Sequence, residues 1–142
     1  VGLAAAFDLT AREREAVQER LKALRARLLA RLRVGLKGRF AVNTPLDSSA
    51  PHVLNLAFPP HPEPLDGEML ILGLDLEGVC ASAGSACTSG AIEPSHVLLA
   101  LGLPRETAAA AVRFSLGHTT TEADVDTAAD ALTRVVSRMA VA

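Results

Sequence analysis

The chain has 142 residues, 49% of them hydrophobic and 21% charged, with a formal net charge of −2. That length and balance fit one globular domain with its own core and exclude a disordered or fibrous chain. Four Phe with no Trp or Tyr leave the core to Leu, Val and Ala, and exclude base stacking on an aromatic platform as a mode of binding.

Val17, Leu21, Leu24, Leu28 and Leu32 recur at spacings of three and four with charged residues between them, so the first long element is a helix. Thr10, with Glu13 three residues on, is the expected N-cap, and Gly35 the expected stop. Residues 36–52 are rich in turn formers, with a short strand expected around Arg39–Val42. Val53–Phe58 is expected as a strand ended by Pro59 and Pro60. Asp66 is placed to cap a helix through Met69, Leu72 and Leu76, closed by Gly78. Val79–Ser82 reads as a short strand, followed by nine small residues, 83–91. Pro94 suits the first turn of a short helix ending near Gly102, and Pro104–Ala110 is a second short helix. Ala111–Leu116 alternates, with Val112, Phe114 and Leu116 on one face and Arg113 and Ser115 on the other. Thr121 and Asp124 form a capping arrangement for a last helix with Val125, Ala128, Leu132, Val135 and Met139 as its stripe. The expected fold is α/β in the α+β, two-layer sense: a small sheet of about three or four strands with helices packed mainly on one face.

Charge is uneven along the chain. Residues 11–39 hold ten basic and three acidic residues, a local +7, while the remainder carries −9. This stretch is read as the solvated face of the amphipathic helix; no recognised nucleic-acid motif accompanies it, and no nucleic-acid partner is expected. No apolar run reaches the ~18–20 residues of a membrane span, and the N-terminus lacks the order of a signal peptide. Two cysteines are too few for a disulfide framework and read as reduced thiols of a cytoplasmic protein. The chain starts at Val1 without an initiator Met, which fits an excised or processed piece of something longer.

Two residues stand out chemically. Cys87 lies among small residues between a strand and a helix, where a thiol can be mobile and a helix N-terminus can favour the thiolate. The competing reading is a small hydrophobe in a flexible loop, and His96 is near it in sequence. Arg113 emerges opposite the apolar face of its strand, where a planar fork suits a carboxylate; the competing reading is a surface arginine with a local ion pair. Cys80 is expected as a packed core thiol, and His118 as part of the turn after Gly117. Cys80, Cys87 and His96, with His61 or His118, lack a structural-zinc spacing, and no metal is expected.

The segments ASAGSACTSGAIEPSHVLLALGL (81–103) and VRFSLGHTTTEADVD (112–126) strongly resemble the C-terminal domain of cysteine desulfurases, class V of the fold-type I pyridoxal phosphate (PLP) enzymes. The Gly-Ser-Ala-Cys-Thr-Ser core resembles the nitrogen-fixation and iron–sulfur-cluster subgroup, and the resemblance extends across most of the chain. It implies that Cys87 attacks the sulfur of substrate cysteine, leaving alanine and an enzyme persulfide, and that Arg113 binds the substrate carboxylate. It implies one domain, residues 1–142, that is the small domain of a longer homodimeric enzyme, with residues 83–93 as a mobile cysteine loop. The implied partners are L-cysteine and an iron–sulfur scaffold or other sulfur-acceptor protein. The family's PLP lysine belongs to a preceding large domain, and Lys22 and Lys37 match no such motif. The chain by itself is therefore expected neither to hold PLP nor to turn over cysteine. The alternative reading is a non-catalytic module that docks a scaffold protein and at most relays sulfur.

Overall fold

The computed structural model describes residues 1–83 and 93–140. Helix α1 (Gly2–Gly35) starts well before Thr10. The run Ala4–Ala6 favours helix, and Thr10 sits inside it, its hydroxyl donating to the Ala6 carbonyl at 2.8 Å. The expected N-cap at Thr10 is thus corrected: the helix starts earlier, and the hydroxyl bonds within it instead of starting it. Residues 2–16 are exposed, including Leu3, Phe7 and Leu9. From Leu21 onward the leucine stripe is buried.

Helix α5 (Glu122–Met139) begins at Thr121, whose capping box with Asp124 is present as the sequence indicates. Arg27 pairs with Glu122 and Asp126, and Arg31 with Asp126 and Asp130. The partner's number rises with the arginine's, so α1 and α5 run side by side in the same direction. Arg20 reaches the turn before α5, donating to the carbonyls of Thr120 (2.6 Å) and His118. Much of the local positive charge of residues 11–39 is therefore engaged within the fold.

Three strands form an antiparallel sheet in the order β1 (Ala41–Val42), β2 (Val53–Ala57), β3 (Ala111–Ser115). Leu54, Leu56, Val112 and Phe114 point to one face and join α1, α5 and Leu70 and Leu74 of α2 (Gly67–Leu76) in the main core. Asp66 caps α2 by accepting from the amides of Glu68 (2.8 Å) and Met69 (3.1 Å). Gly67 lets that helix start against the strand lead-in: a Cβ there would lie 2.0 Å from the Ala109 carbonyl oxygen. On the opposite sheet face, α3 (His96–Ala100) and α4 (Arg105–Ala109) cover Ala57 and Ala111 with Leu98 and Ala108. Most of the helical mass thus lies on one face, with a small second cluster on the other. Among the described residues no helix is long and apolar enough to cross a membrane.

Three further expectations need correction. Val79–Ser82 is not a strand: after the turn at Gly78 (φ 77°) only Ser82 pairs, in a single bridge with Arg113, and Val79–Ala81 meet no neighbouring ladder among the described residues. Cys80 is exposed, not packed in the core; Val79 and Ala81 take the inward positions around it. Pro94 lies outside α3, whose N-cap is Ser95.

Candidate functional site

The non-core face of β2 and β3 carries Asn55 and Arg113, which are direct cross-strand partners. Arg113 directs its main chain away from β2: its amide donates to Ser82 at 2.7 Å, and its carbonyl accepts from Ser82 at 3.2 Å. Asn55 does the converse. Its amide donates to the Thr44 hydroxyl at 2.7 Å and its carbonyl accepts from the Asn43 amide at 2.9 Å. The two residues therefore form a non-hydrogen-bonded antiparallel pair, the arrangement that brings side chains closest. A third amide extends the row, as Asn43 Nδ2 donates to Asn55 Oδ1 at 2.7 Å.

These side chains line a groove of about 410 Å³. Thr44, Ser49 and Ser95 add polar groups to it, and Val53, Leu98 and Leu101 add apolar wall. Arg113 is the one charged residue among the described residues of the lining. It is exposed, and its guanidinium has no hydrogen-bond or ion-pair partner among the described residues. Ala83 and Ser95, close to the two described ends of the segment containing Cys87, both line this groove. Cys87 itself, and with it most of the expected loop 83–93, lies outside the described residues.

One wall of the groove is held from behind by Arg25, which is buried at 6% exposure. Its guanidinium donates to the Leu46 carbonyl (2.7 Å), the Ala50 carbonyl (3.1 Å) and the Ser49 hydroxyl (2.9 Å). The turn leading toward Ser82 is tied down in a similar way. Glu77, at the end of α2, accepts from Arg134 (2.7 Å) and Arg138 (2.6 Å) of α5, and these bonds hold its carboxyl below the ordinary carboxylate range.

The other singled-out residues are elsewhere. Cys80 lines a separate hollow of about 230 Å³ with Ser115, Leu116 and Thr120. His118 lies 3.7 Å from Glu13 beside α1, and His96 is exposed at the start of α3. Among the described residues no three His, Cys, Asp or Glu side chains are grouped to hold a metal. Sequence reading passed over Asn55, Arg25 and Glu77. Arg25 carried a signal, since it falls four residues after Leu21 and three before Leu28, on the buried stripe. Asn55 carried none, because which residue faces Arg113 is fixed by strand register.

A Schiff-base cofactor needs a lysine at the groove. Lys22 pairs with Glu19 at 2.6 Å and Lys37 sits beyond the end of α1; neither lines the groove. The described residues therefore do not fit PLP as its covalent holder.

Residues 1–128 match the aminotransferase class-V family. A protein of Clostridium botulinum named cysteine desulfurase IscS is 38% identical over 143 residues, covering 97% of this chain and 34% of the relative. A cysteine desulfurase of Nostoc is 43% identical over 98 residues, 69% of this chain and 24% of that protein. Among solved structures, a NifS-like protein matches with a TM-score of 0.76 and 28% identity over 96% of this chain and 33% of its own. The chain thus spans about a third of the length of the relatives it matches. Matched over most of its length, it belongs to the aminotransferase class-V family.

Proposed function

We propose that the chain is the C-terminal small domain of a cysteine desulfurase, in which Arg113 grips the carboxylate of L-cysteine and Cys87 takes its sulfur. The observation that carries this reading is a guanidinium without a described partner, standing in a groove otherwise neutral among the described residues and bordered by both flanks of the Cys87 segment. A planar fork of donors with no acceptor among the described residues is suited to a carboxylate held by two parallel hydrogen bonds. Cys87 follows Ala83 by four residues, so chain length alone keeps it within about 14 Å of that groove residue.

In the transfer, the Cys87 thiolate attacks the substrate sulfur. A sulfur–sulfur bond forms, the carbon–sulfur bond breaks, and its electron pair stays on the substrate carbon, which is protonated to give alanine. The persulfide left on Cys87 is then passed to a scaffold or other acceptor protein. PLP, for which the described residues offer no covalent holder, would supply the electron sink for the carbon–sulfur cleavage where it is bound. The isolated chain is accordingly inactive, and Arg113 acts by orienting the substrate so that its sulfur faces Cys87.

The test is alanine release from L-cysteine by the longer protein that carries this segment, beside the isolated chain. Turnover by the longer protein alone is the expected outcome. A longer protein that binds PLP yet releases no alanine would leave the segment as a docking or sulfur-relay module.

A further inference from the structure

We infer that Asn55 is a second carboxylate-binding residue, acting beside Arg113 as a specificity determinant for anionic substrates. This deepens the proposed function and rests on its assignment of Arg113. Three observations carry it. Asn55 stands directly across from Arg113 in the non-hydrogen-bonded register, so both side chains rise from the same face at closest spacing. Its amide is also oriented: Oδ1 is taken by Asn43 Nδ2 at 2.7 Å, leaving the Nδ2 hydrogens as the end turned from that contact. Finally, among the described residues the groove has no acidic lining that would compete for these donors.

An anion bound by Arg113 thus meets a neutral, prealigned N–H donor from the neighbouring strand. Asn43 is a positioning residue that fixes which end of the amide is presented, and Thr44 holds the Asn55 backbone by accepting its N–H. The recognised group is the α-carboxylate of a small amino acid. The guanidinium fork already suits a planar two-oxygen group, and the adjacent amide donor adds a further bond to one of those oxygens, which tightens the preference for a carboxylate seated in this orientation.

The probe is L-alanine, with L-alaninamide as the ligand lacking a carboxylate, titrated into the 142-residue chain by NMR. The Arg113 Nε–Hε and Asn55 Nδ2–H2 resonances are followed together. Both are expected to shift along one saturation curve with L-alanine and to stay still with L-alaninamide. Asn55→Ala should weaken the apparent affinity about tenfold, the effect of losing one hydrogen bond to a charged group. Asn55→Asp, which places a carboxylate opposite Arg113, should abolish the Arg113 response. Should a variant fail to fold, the wild-type Asn55 resonance still decides the matter. An Asn55 signal that stays fixed while Arg113 shifts overturns the role of Asn55 alone. An Arg113 signal that also stays fixed overturns the carboxylate assignment of Arg113, and the inference with it.

Discussion

Replacing Arg25 by Met removes a buried guanidinium while keeping an unbranched apolar stem. Three hydrogen bonds disappear, to the Leu46 and Ala50 carbonyls and the Ser49 hydroxyl. Bonds from a charged donor contribute about 1.5–3 kcal/mol each, but the acceptors lie in a surface turn where water recovers part of the loss. A net destabilisation of about 2–4 kcal/mol follows, or about 5–15 °C in melting temperature for a chain of this size. Thermal unfolding followed by far-UV circular dichroism measures it directly. Arg25→Lys should fall between wild type and Arg25→Met, because one ammonium cannot span both carbonyls. A melting temperature within about 2 °C of wild type for Arg25→Met would refute the claim that Arg25 holds this wall of the groove.

Leu132 is fully buried in the packing of α5 against the core, so Leu132→Ala should lower stability by about 2–5 kcal/mol in urea denaturation. Asp126 is held below the ordinary carboxylate range, chiefly by its hydrogen bonds from Arg27, and Glu77 chiefly by Arg134 and then Arg138. Both therefore stabilise the fold at neutral pH, and that contribution is lost as pH falls through about 4 and below. Asp126→Asn should make the urea midpoint less sensitive to acid than it is in wild type; an unchanged pH slope would contradict the role of the Arg27 pairing. In a longer protein that carries this segment and turns over L-cysteine, Arg113→Lys should raise KM about tenfold or more, since the ammonium cannot reproduce two parallel bonds. An unchanged KM would return Arg113 to a structural role.

Local chemistry explains which features were legible in the sequence. Asp66 and the Thr121–Asp124 pair cap their helices with side chains two or three residues away, so the signals are contained in short windows. The alternation of Val112, Arg113 and Phe114 fixed which side of β3 would face the core before any partner strand was known. Thr10 misled because a threonine can bond to its own helix as readily as cap it, and the alanines before it carry the helix on. Val79–Ser82 misled because four β-compatible residues form a strand only where a neighbour offers a full ladder, and here only Ser82 finds one. At the site, Arg113 could be read from alternation, whereas Asn55 and Asn43 depend on register between strands far apart in sequence. Composition and spacing left Cys87 open between a nucleophile and a small loop residue; its assignment came from resemblance.

The most direct test is the mass of the cysteine-containing peptides after a longer, PLP-binding protein that carries this segment has been exposed to L-cysteine and trapped by alkylation without reductant. The expected result is the added mass of one sulfur atom on the peptide bearing Cys87, none on that bearing Cys80, and loss of the addition in Cys87→Ser with the PLP absorbance retained. Sulfur on Cys80 instead, or persulfide release that survives Cys87→Ser, would contradict the assignment of Cys87 as the sulfur acceptor.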